Sequence, residues 1–388
     1  MERTLIYVAI FLACLACMLF FAWRFTRHID SKIERQFQPS GSFTEVEGGS
    51  IHWYKQGSGP NLILIHGLAG SGLNFSTLTA LLANDYTVYV IDRPGSGFST
   101  RQPSISANFD VQATMILQWM DKLNIENANL VGHSMGGAIA LRLALDAASR
   151  INAVSLLCPL TTPAMDPPGP LISLYIPHDG LRSLLANTFA TPLRVTVGKR
   201  HVNQVFYPEL VPNKFAIQGG GAYALHSTQF FNASCDIVAS TRSLYKQYKR
   251  YNEITCPVGV LFGEKDKILK PSTHTPAVTE LIENSISEVV ANAGHMIPVT
   301  QPDACKAFID KVNQMAEKLI PSPSDFQIPQ EKAAKEMEEK VGFEEAVNSN
   351  TKFFNLGPKN NWKNVLDKNL INSIEKNFNE EMKELRYI

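Results

Sequence analysis

Eight residues, Leu130-Val131-Gly132-His133-Ser134-Met135-Gly136-Gly137, constrain this 388-residue chain more than any other stretch. They fit the pattern Gly-x-Ser-x-Gly, and their flanks give the pattern its meaning. Ala128 to Val131 is a short apolar run of strand type, and Ala138-Ile139-Ala140-Leu141-Arg142-Leu143-Ala144-Leu145 favours a helix. A strand that turns sharply into a helix forces the middle serine into a strained backbone conformation and exposes its hydroxyl above a sheet. Gly132 and Gly136 then let strand and helix approach closely. The helix N-terminus points its positive dipole end at the same place. Read as a bare pattern, this is a glycine-bearing turn with an ordinary serine. Read with its flanks, Ser134 is a candidate nucleophile.

Three further segments belong with it. Asn61-Leu62-Ile63-Leu64-Ile65 is a buried-strand run followed by His66-Gly67-Leu68-Ala69-Gly70-Ser71-Gly72. A Gly-rich loop at a strand end can aim backbone N–H groups at a developing oxyanion, and the expected donors are Leu68 and Met135. Pro257-Val258-Gly259-Val260-Leu261-Phe262 is a second strand run, ending in Gly263-Glu264-Lys265-Asp266. Asn292-Ala293-Gly294-His295-Met296 supplies a histidine in a loop before a helix. Each of these residues alone is more often a surface group. Together, Ser134, Asp266 and His295 stand in the chain order of one type of nucleophile–acid–base triad. Glu264 is a rival for the acid; Asp266 has the better offset from the strand end.

At this point the chain resembles the α/β-hydrolase family over about residues 41 to 318. His66-Gly67, Asp92-Arg93-Pro94-Gly95-Ser96-Gly97-Phe98-Ser99, Gly132-His133-Ser134-Met135-Gly136, Asp266 and Gly294-His295 carry the likeness. It implies an α/β fold: a mostly parallel sheet with helices on both faces and an inserted helical cap. It also implies a serine hydrolase with no metal or cofactor, in which Ser134, Asp266 and His295 are catalytic and Leu68 and Met135 form the oxyanion hole. A serine at the elbow argues against the family's aspartate-nucleophile branches. The N-terminal apolar run, the Ser-Met-Gly-Gly elbow and the cap length resemble membrane-anchored, monoacylglycerol lipase-like esterases. The expected substrate is a small hydrophobic or lipid ester. A carbon–carbon bond hydrolase with the same triad is the enzymatic alternative, and a non-catalytic membrane scaffold is the alternative of another class, since one fold hosts many functions.

Thr4 to Trp23 is 20 residues without a charge, long enough for a helix to cross a hydrocarbon core of about 30 Å. A cleaved signal peptide is the rival, but the run is long for one and ends Phe20-Phe21-Ala22-Trp23-Arg24, a poor cleavage site. Arg24, Arg27, Lys32 and Arg35 follow the span against Arg3 before it, which places the catalytic domain on the cytosolic side. The sequon Asn74-Phe75-Ser76 lies beside the oxyanion loop, where a glycan would obstruct the site, and mildly agrees.

Charge is balanced at 36 basic and 36 acidic residues, with no basic stripe, so nucleic acid is not an expected partner. The six cysteines show no pairing pattern beyond Cys14 and Cys17 in the apolar run and read as free thiols. Oligomeric state is not legible.

The expected organisation is an anchor and polar stalk at 1–40, a core at 41–160 and 251–320, a cap at 161–250 and a tail at 321–388. A hairpin at Phe43 to Val46 and Ser50 to Lys55 precedes alternating strands and helices, the pattern of a parallel sheet. The alternation stops at Cys158-Pro159 and resumes at Pro257. The interruption is rich in Leu171, Ile172, Leu174, Phe206, Phe230, Phe231 and similar residues, so an apolar pocket is expected. Gly219-Gly220-Gly221 is a loop or a hinge. Pro321-Ser322-Pro323-Ser324 signals a linker. Beyond it, residues 325–388 resemble a fragment of the cytosolic sulfotransferase family through Phe353-Phe354-Asn355-Leu356-Gly357-Pro358. Its phosphate-holding Arg-Lys is Asn355-Leu356 here, so sulfotransfer is not expected.

Overall fold

The computed structural model describes residues 2–163 and 169–319. Eight strands form one sheet in the order β1-β2-β4-β3-β5-β6-β7-β8. β1 (Ser42–Val46) and β2 (Gly49–Gln56) form the expected hairpin, and β2 also pairs antiparallel with β4 (Thr87–Ile91). β3 (Asn61–Ile65), β4, β5 (Ala128–His133), β6 (Ile151–Leu157), β7 (Val258–Gly263) and β8 (Ser285–Val290) are parallel to one another. The central strands are buried along nearly their whole length and mostly apolar because both sheet faces are covered. Leu62 to Ile65, Leu130, Val131, Leu156, Leu157 and Phe262 are all buried in the main core.

The helices of that core include α2 (Ser76–Leu82), α3 (Phe109–Lys122) and α4 (Met135–Asp146). Between β6 and β7 the described residues contain no strand. They hold α5 (Asp179–Asn187), α6 (Ala190–Phe206), α7 (Phe215–Gln218) and α8 (Ser227–Tyr248). Leu174, Ala186, Ala190, Phe230, Ala233 and Ile237 give this insert a small core of its own. Gly219-Gly220-Gly221 is a packed turn after α7, not a free hinge. Gly219 O accepts from the buried Asn74 Nδ2 at 2.7 Å, which also uses the amide that a glycan would need. After β7 come α9 (Pro271–His274) and α10 (Pro276–Thr279), and after β8 come α11 (Ile297–Thr300) and the amphipathic α12 (Pro302–Leu319).

The N-terminal region departs from expectation. In place of an anchor followed by a separate polar stalk, α1 runs unbroken from Glu2 to Gln36. Its first two-thirds exposes Leu5, Ile6, Phe11, Phe20 and Phe21. Its last turns are docked: Thr26, Asp30, Ile33 and the following Phe37 are buried. Spacings of three and four residues put these on one helix face. That face lies on the insert. Thr26 Oγ1 donates to Thr188 O at 2.7 Å, and Asp30 accepts from Ser227 N at 2.9 Å and Ser227 Oγ at 2.7 Å. Phe37 meets Tyr223 edge-to-face with centroids 5.4 Å apart. The polar residues of the stretch thus cap and bond the insert. The linker at 321–324 and the sulfotransferase likeness of 325–388 lie outside the described residues.

Candidate active site

Ser134 joins β5 to α4 with φ 54° and ψ −121°, a backbone strained for a residue with a side chain. The turn is held by Ser134 N donating to Leu157 O at 3.0 Å and Gly137 N donating to Ser134 O at 3.0 Å. A Cβ on Gly132 would meet Gly137 Cα at 2.6 Å, and one on Gly136 would overlap Ile65 O. Both glycines are therefore required by close approach of strand, turn and helix.

The acid and the histidine come from the ends of β7 and β8. His295 Nδ1 donates to Asp266 Oδ2 at 2.7 Å. The other oxygen, Oδ1, accepts from Ile268 N at 2.8 Å and Leu269 N at 3.0 Å. Burial opposes ionisation of Asp266, but the His295 ring and these donors outweigh it and hold the carboxyl below its ordinary value. The rival Glu264 is exposed. It accepts from Asn292 N at 3.0 Å, pairs with Lys265 and does not touch His295. The half-buried Ser134 Oγ makes no hydrogen bond to His295. Such contacts tighten when substrate closes the site.

Two residues that sequence reasoning did not assign fix the histidine loop. His133, next to Ser134, donates from Nε2 to His295 O at 3.0 Å. Burial, followed by the His295 charge, lowers its pKa to about 3, so the ring stays neutral. Glu209 from the insert accepts from Gly294 N at 3.0 Å and from Gln301 Nε2 at 2.7 Å. No local pattern marks Glu209, because the contact joins segments far apart in the chain.

The loop after β3 is shaped by Arg93. Ile65 pairs in register with Ile91, so the two residues beyond each strand end lie side by side. Arg93 Nε donates to His66 O at 2.9 Å and Nη2 to Gly67 O at 3.2 Å. Arg93 N donates to His66 Nε2 at 3.0 Å, while His66 Nδ1 donates to Gly67 O at 2.8 Å. Burial lowers the pKa of His66 to about 4, so it keeps the neutral form these bonds need. With the loop carbonyls turned onto Arg93 and His66, the Leu68 N–H is left without an acceptor among the described residues, and so is the Met135 N–H. These are the two donors expected from the sequence. Above them, Leu68 and Ala69 pack against the insert's apolar core, which roofs this side of the site.

Cys158 Sγ, Asp266 and His295 also offer ligand atoms within 4.8 Å of one another. Burial, and then Asp266, push the thiol well above its ordinary value. Both oxygens of Asp266 are already committed, Oδ2 to His295 and Oδ1 to the Ile268 and Leu269 N–H groups, so the cluster is described as an Asp–His pair with a thiol neighbour.

An elbow serine, an Asp–His pair and two unspent N–H groups sit at the carboxyl ends of β3, β5, β7 and β8. The family model described as the alpha/beta hydrolase fold matches residues 60–302, which contain every one of these groups. The chain belongs to the alpha/beta hydrolase fold family. Among curated relatives, monoacylglycerol lipase ABHD6 of Homo sapiens is 22% identical over 276 residues, covering 66% of this chain and 76% of the relative. The dihydrolipoyllysine-residue acetyltransferase component of the acetoin cleaving system of Cupriavidus necator is 38% identical over 120 residues, or 30% of this chain. That match spans only 32% of the relative. Among solved structures, a putative lipase of Acinetobacter baumannii AYE superposes with a TM-score of 0.59 at 19% identity, covering 76% of this chain and 97% of that one. At this identity the likeness carries the fold. The comparisons do not bear out the sulfotransferase likeness of the tail.

Proposed function

We propose that this hydrolase-fold chain is a membrane-anchored serine hydrolase that cleaves carboxylic esters of hydrophobic, monoacylglycerol-like substrates through an acyl-enzyme. His295 takes the proton of Ser134 as Ser134 attacks the ester carbonyl. Asp266 fixes the imidazole tautomer and stabilises the imidazolium. The Leu68 and Met135 N–H groups receive the oxyanion, and water releases the acid by the reverse sequence. The observation that carries this reading is the strained Ser134 near two N–H groups that have no acceptor among the described residues, together with a hydrogen-bonded Asp–His pair. The apolar roof over Leu68 favours an acyl chain.

Membrane anchoring rests on α1, which is long and apolar enough to span and exposes its apolar residues. The likeness to ABHD6, a monoacylglycerol lipase, favours the lipid ester. The positive residues that follow the span favour a cytosolic catalytic face. The test is turnover of a monoacylglycerol, a short-acyl ester and a vinylogous diketone by the full chain. Ester cleavage is expected. Release of an enol product from the diketone with no ester turnover would overturn the reading in favour of carbon–carbon bond cleavage. Alkaline extraction of native membranes tests the anchor separately: the full chain should remain in the pellet.

A further inference from the structure

A cavity of about 680 Å³ opens between α1, the segment after β4 and the insert helices α5 and α8, and none of Ser134, Asp266 or His295 lines it. Four arginines do: Arg27, Arg101, Arg182 and Arg242. Asp179 is the only acid on its described lining. That acid is occupied by Arg182 Nη1 at 2.7 Å. Arg182 also donates to Ile176 O, Ser234 Oγ and Cys235 Sγ, so its role here is to shape the wall.

The other charges are only partly compensated. The buried Asp236 is shared, with one oxygen 2.8 Å from Arg101 and the other 3.0 Å from Arg93. One carboxylate between two guanidinium groups leaves this buried cluster with a net positive charge, of which Arg101, also bonded to Pro94 O, belongs to the cavity wall and Arg93 lies behind it. Arg242 is exposed, and the acids near this wall, Asp236 and Asp179, pair with other arginines. Arg27 donates to Asn187 Oδ1 at 2.9 Å and stands 3.6 Å from Asp30. Two exposed guanidinium forks, Arg27 and Arg242, on a wall stiffened by Arg101 and Arg182 match a phosphate better than any single-point acceptor.

The position along α1 says where such a phosphate would come from, and here the argument rests on the reading of α1 as a span. Trp23 ends the uncharged run and Arg27 follows one helical turn later, about 6 Å along the axis. Each headgroup layer extends about 5–7 Å beyond the hydrocarbon core. The mouth of the cavity at Arg27 would therefore lie at headgroup depth. Apolar Ile105 and Phe231 line the same space and suit the start of an acyl chain. A cytosolic leaflet carries anionic lipids.

We propose that this cavity binds the phosphate of an anionic phospholipid headgroup at the junction of α1 and the insert, a site separate from the Ser134 centre. Because α1 and the insert both contribute to the wall, lipid bound there would clamp the docked end of α1 onto the insert.

The test is fluorescence polarisation of an acyl-labelled short-chain phosphatidate with the full chain in uncharged micelles, with the matching phosphatidylcholine as comparison. Saturable binding of phosphatidate is expected. The double variant Arg27→Gln/Arg242→Gln should weaken it about tenfold or more, the loss expected from one or two charge-assisted hydrogen bonds. Both side chains are at the surface, and an unchanged ligand-free melting temperature establishes that the variant is folded. Asp179→Asn, which removes the acid on the lining, should tighten binding. Competition by inorganic phosphate at matching concentration would assign the site to free phosphate; competition only at far higher concentration assigns it to the lipid headgroup. Equal affinity in the double variant and the wild type, or phosphatidylcholine binding as tightly as phosphatidate, would overturn the proposal. Micelle binding does not require α1 to cross a bilayer, so a failure here and a failure of alkaline extraction are read independently.

Discussion

Replacing Asp30 with alanine should destabilise the full chain although the residue lies outside the sheet core and away from Ser134. The carboxylate is 2% exposed and accepts from both the backbone N–H and the hydroxyl of Ser227, the first residue of α8. Alanine removes one capping acceptor of that helix, the His226 ring at the N-cap still accepting from Thr228 N, and leaves the buried Ser227 donors without a partner. Hydrogen bonds to a charged group are worth about 1.5–3 kcal/mol each, and water entering the space recovers part of this, so a net loss of about 3 kcal/mol is expected. For a domain of this size about 2–3 °C accompanies each kcal/mol, so the melting temperature should fall by roughly 6–9 °C. Asp30→Asn keeps one acceptor oxygen and should lose about half as much. Arg27→Gln is a suitable control: its pairing with Asp30 is long, at 3.6 Å, and half-exposed, so it should cost under about 1 kcal/mol. The assay is thermal unfolding of detergent-solubilised protein followed by far-UV circular dichroism. If Asp30→Ala melts within about 2 °C of wild type, a margin below the loss of a single such bond, the docking of α1 onto the insert contributes nothing and the argument fails.

Asp266→Asn should lower ester turnover by about four orders of magnitude, whereas Glu264→Gln should leave it within a few-fold; reversed effects in steady-state kinetics would show the acid to be misassigned. Arg93→Met strands the buried Asp236 without one partner and frees the His66–Gly67 carbonyls, so denaturant unfolding should show a loss of about 3–5 kcal/mol, and an unchanged midpoint would contradict the role given to Arg93. His66, held at about 4, and His133, at about 3, bind protons more readily when unfolded. Their contribution is therefore intact above about pH 6.5 and is lost as pH falls toward the folded values, about 2 kcal/mol for each ring between pH 7 and 5. Urea unfolding at the two pH values checks this, and stability that is flat or rises on acidification would refute neutral, buried rings.

Much of the site was legible because its residues sit at strand ends, where local sequence patterns are strongest. The apolar runs 61–65, 128–131 and 257–262 end three or four residues before Leu68, Ser134 and Asp266, and glycines mark the turns. β8 was harder to read: Ser285–Val290 is half-exposed, without the apolar run of the central strands. Glu209 and Asp236 act through contacts spanning 85 to 143 residues, which no local pattern encodes. The docked part of α1 was misread for a different reason. Thr26, Asp30 and Ile33 are polar or isolated when read in sequence, but their spacing of four and three was a helical face in plain sight. What the charges concealed was that a buried aspartate can be a helix cap for a distant segment.

The central claim is that Ser134 is the nucleophile, and covalent labelling tests it most directly. The full chain should react with a fluorophosphonate, and mass spectrometry of the digest should place the adduct on the peptide containing Ser134. Ser134→Ala, with its melting temperature retained, should show no adduct and lose ester turnover by about a million-fold. An alanine variant that labels at the wild-type rate, or an adduct found on another residue, would contradict the account.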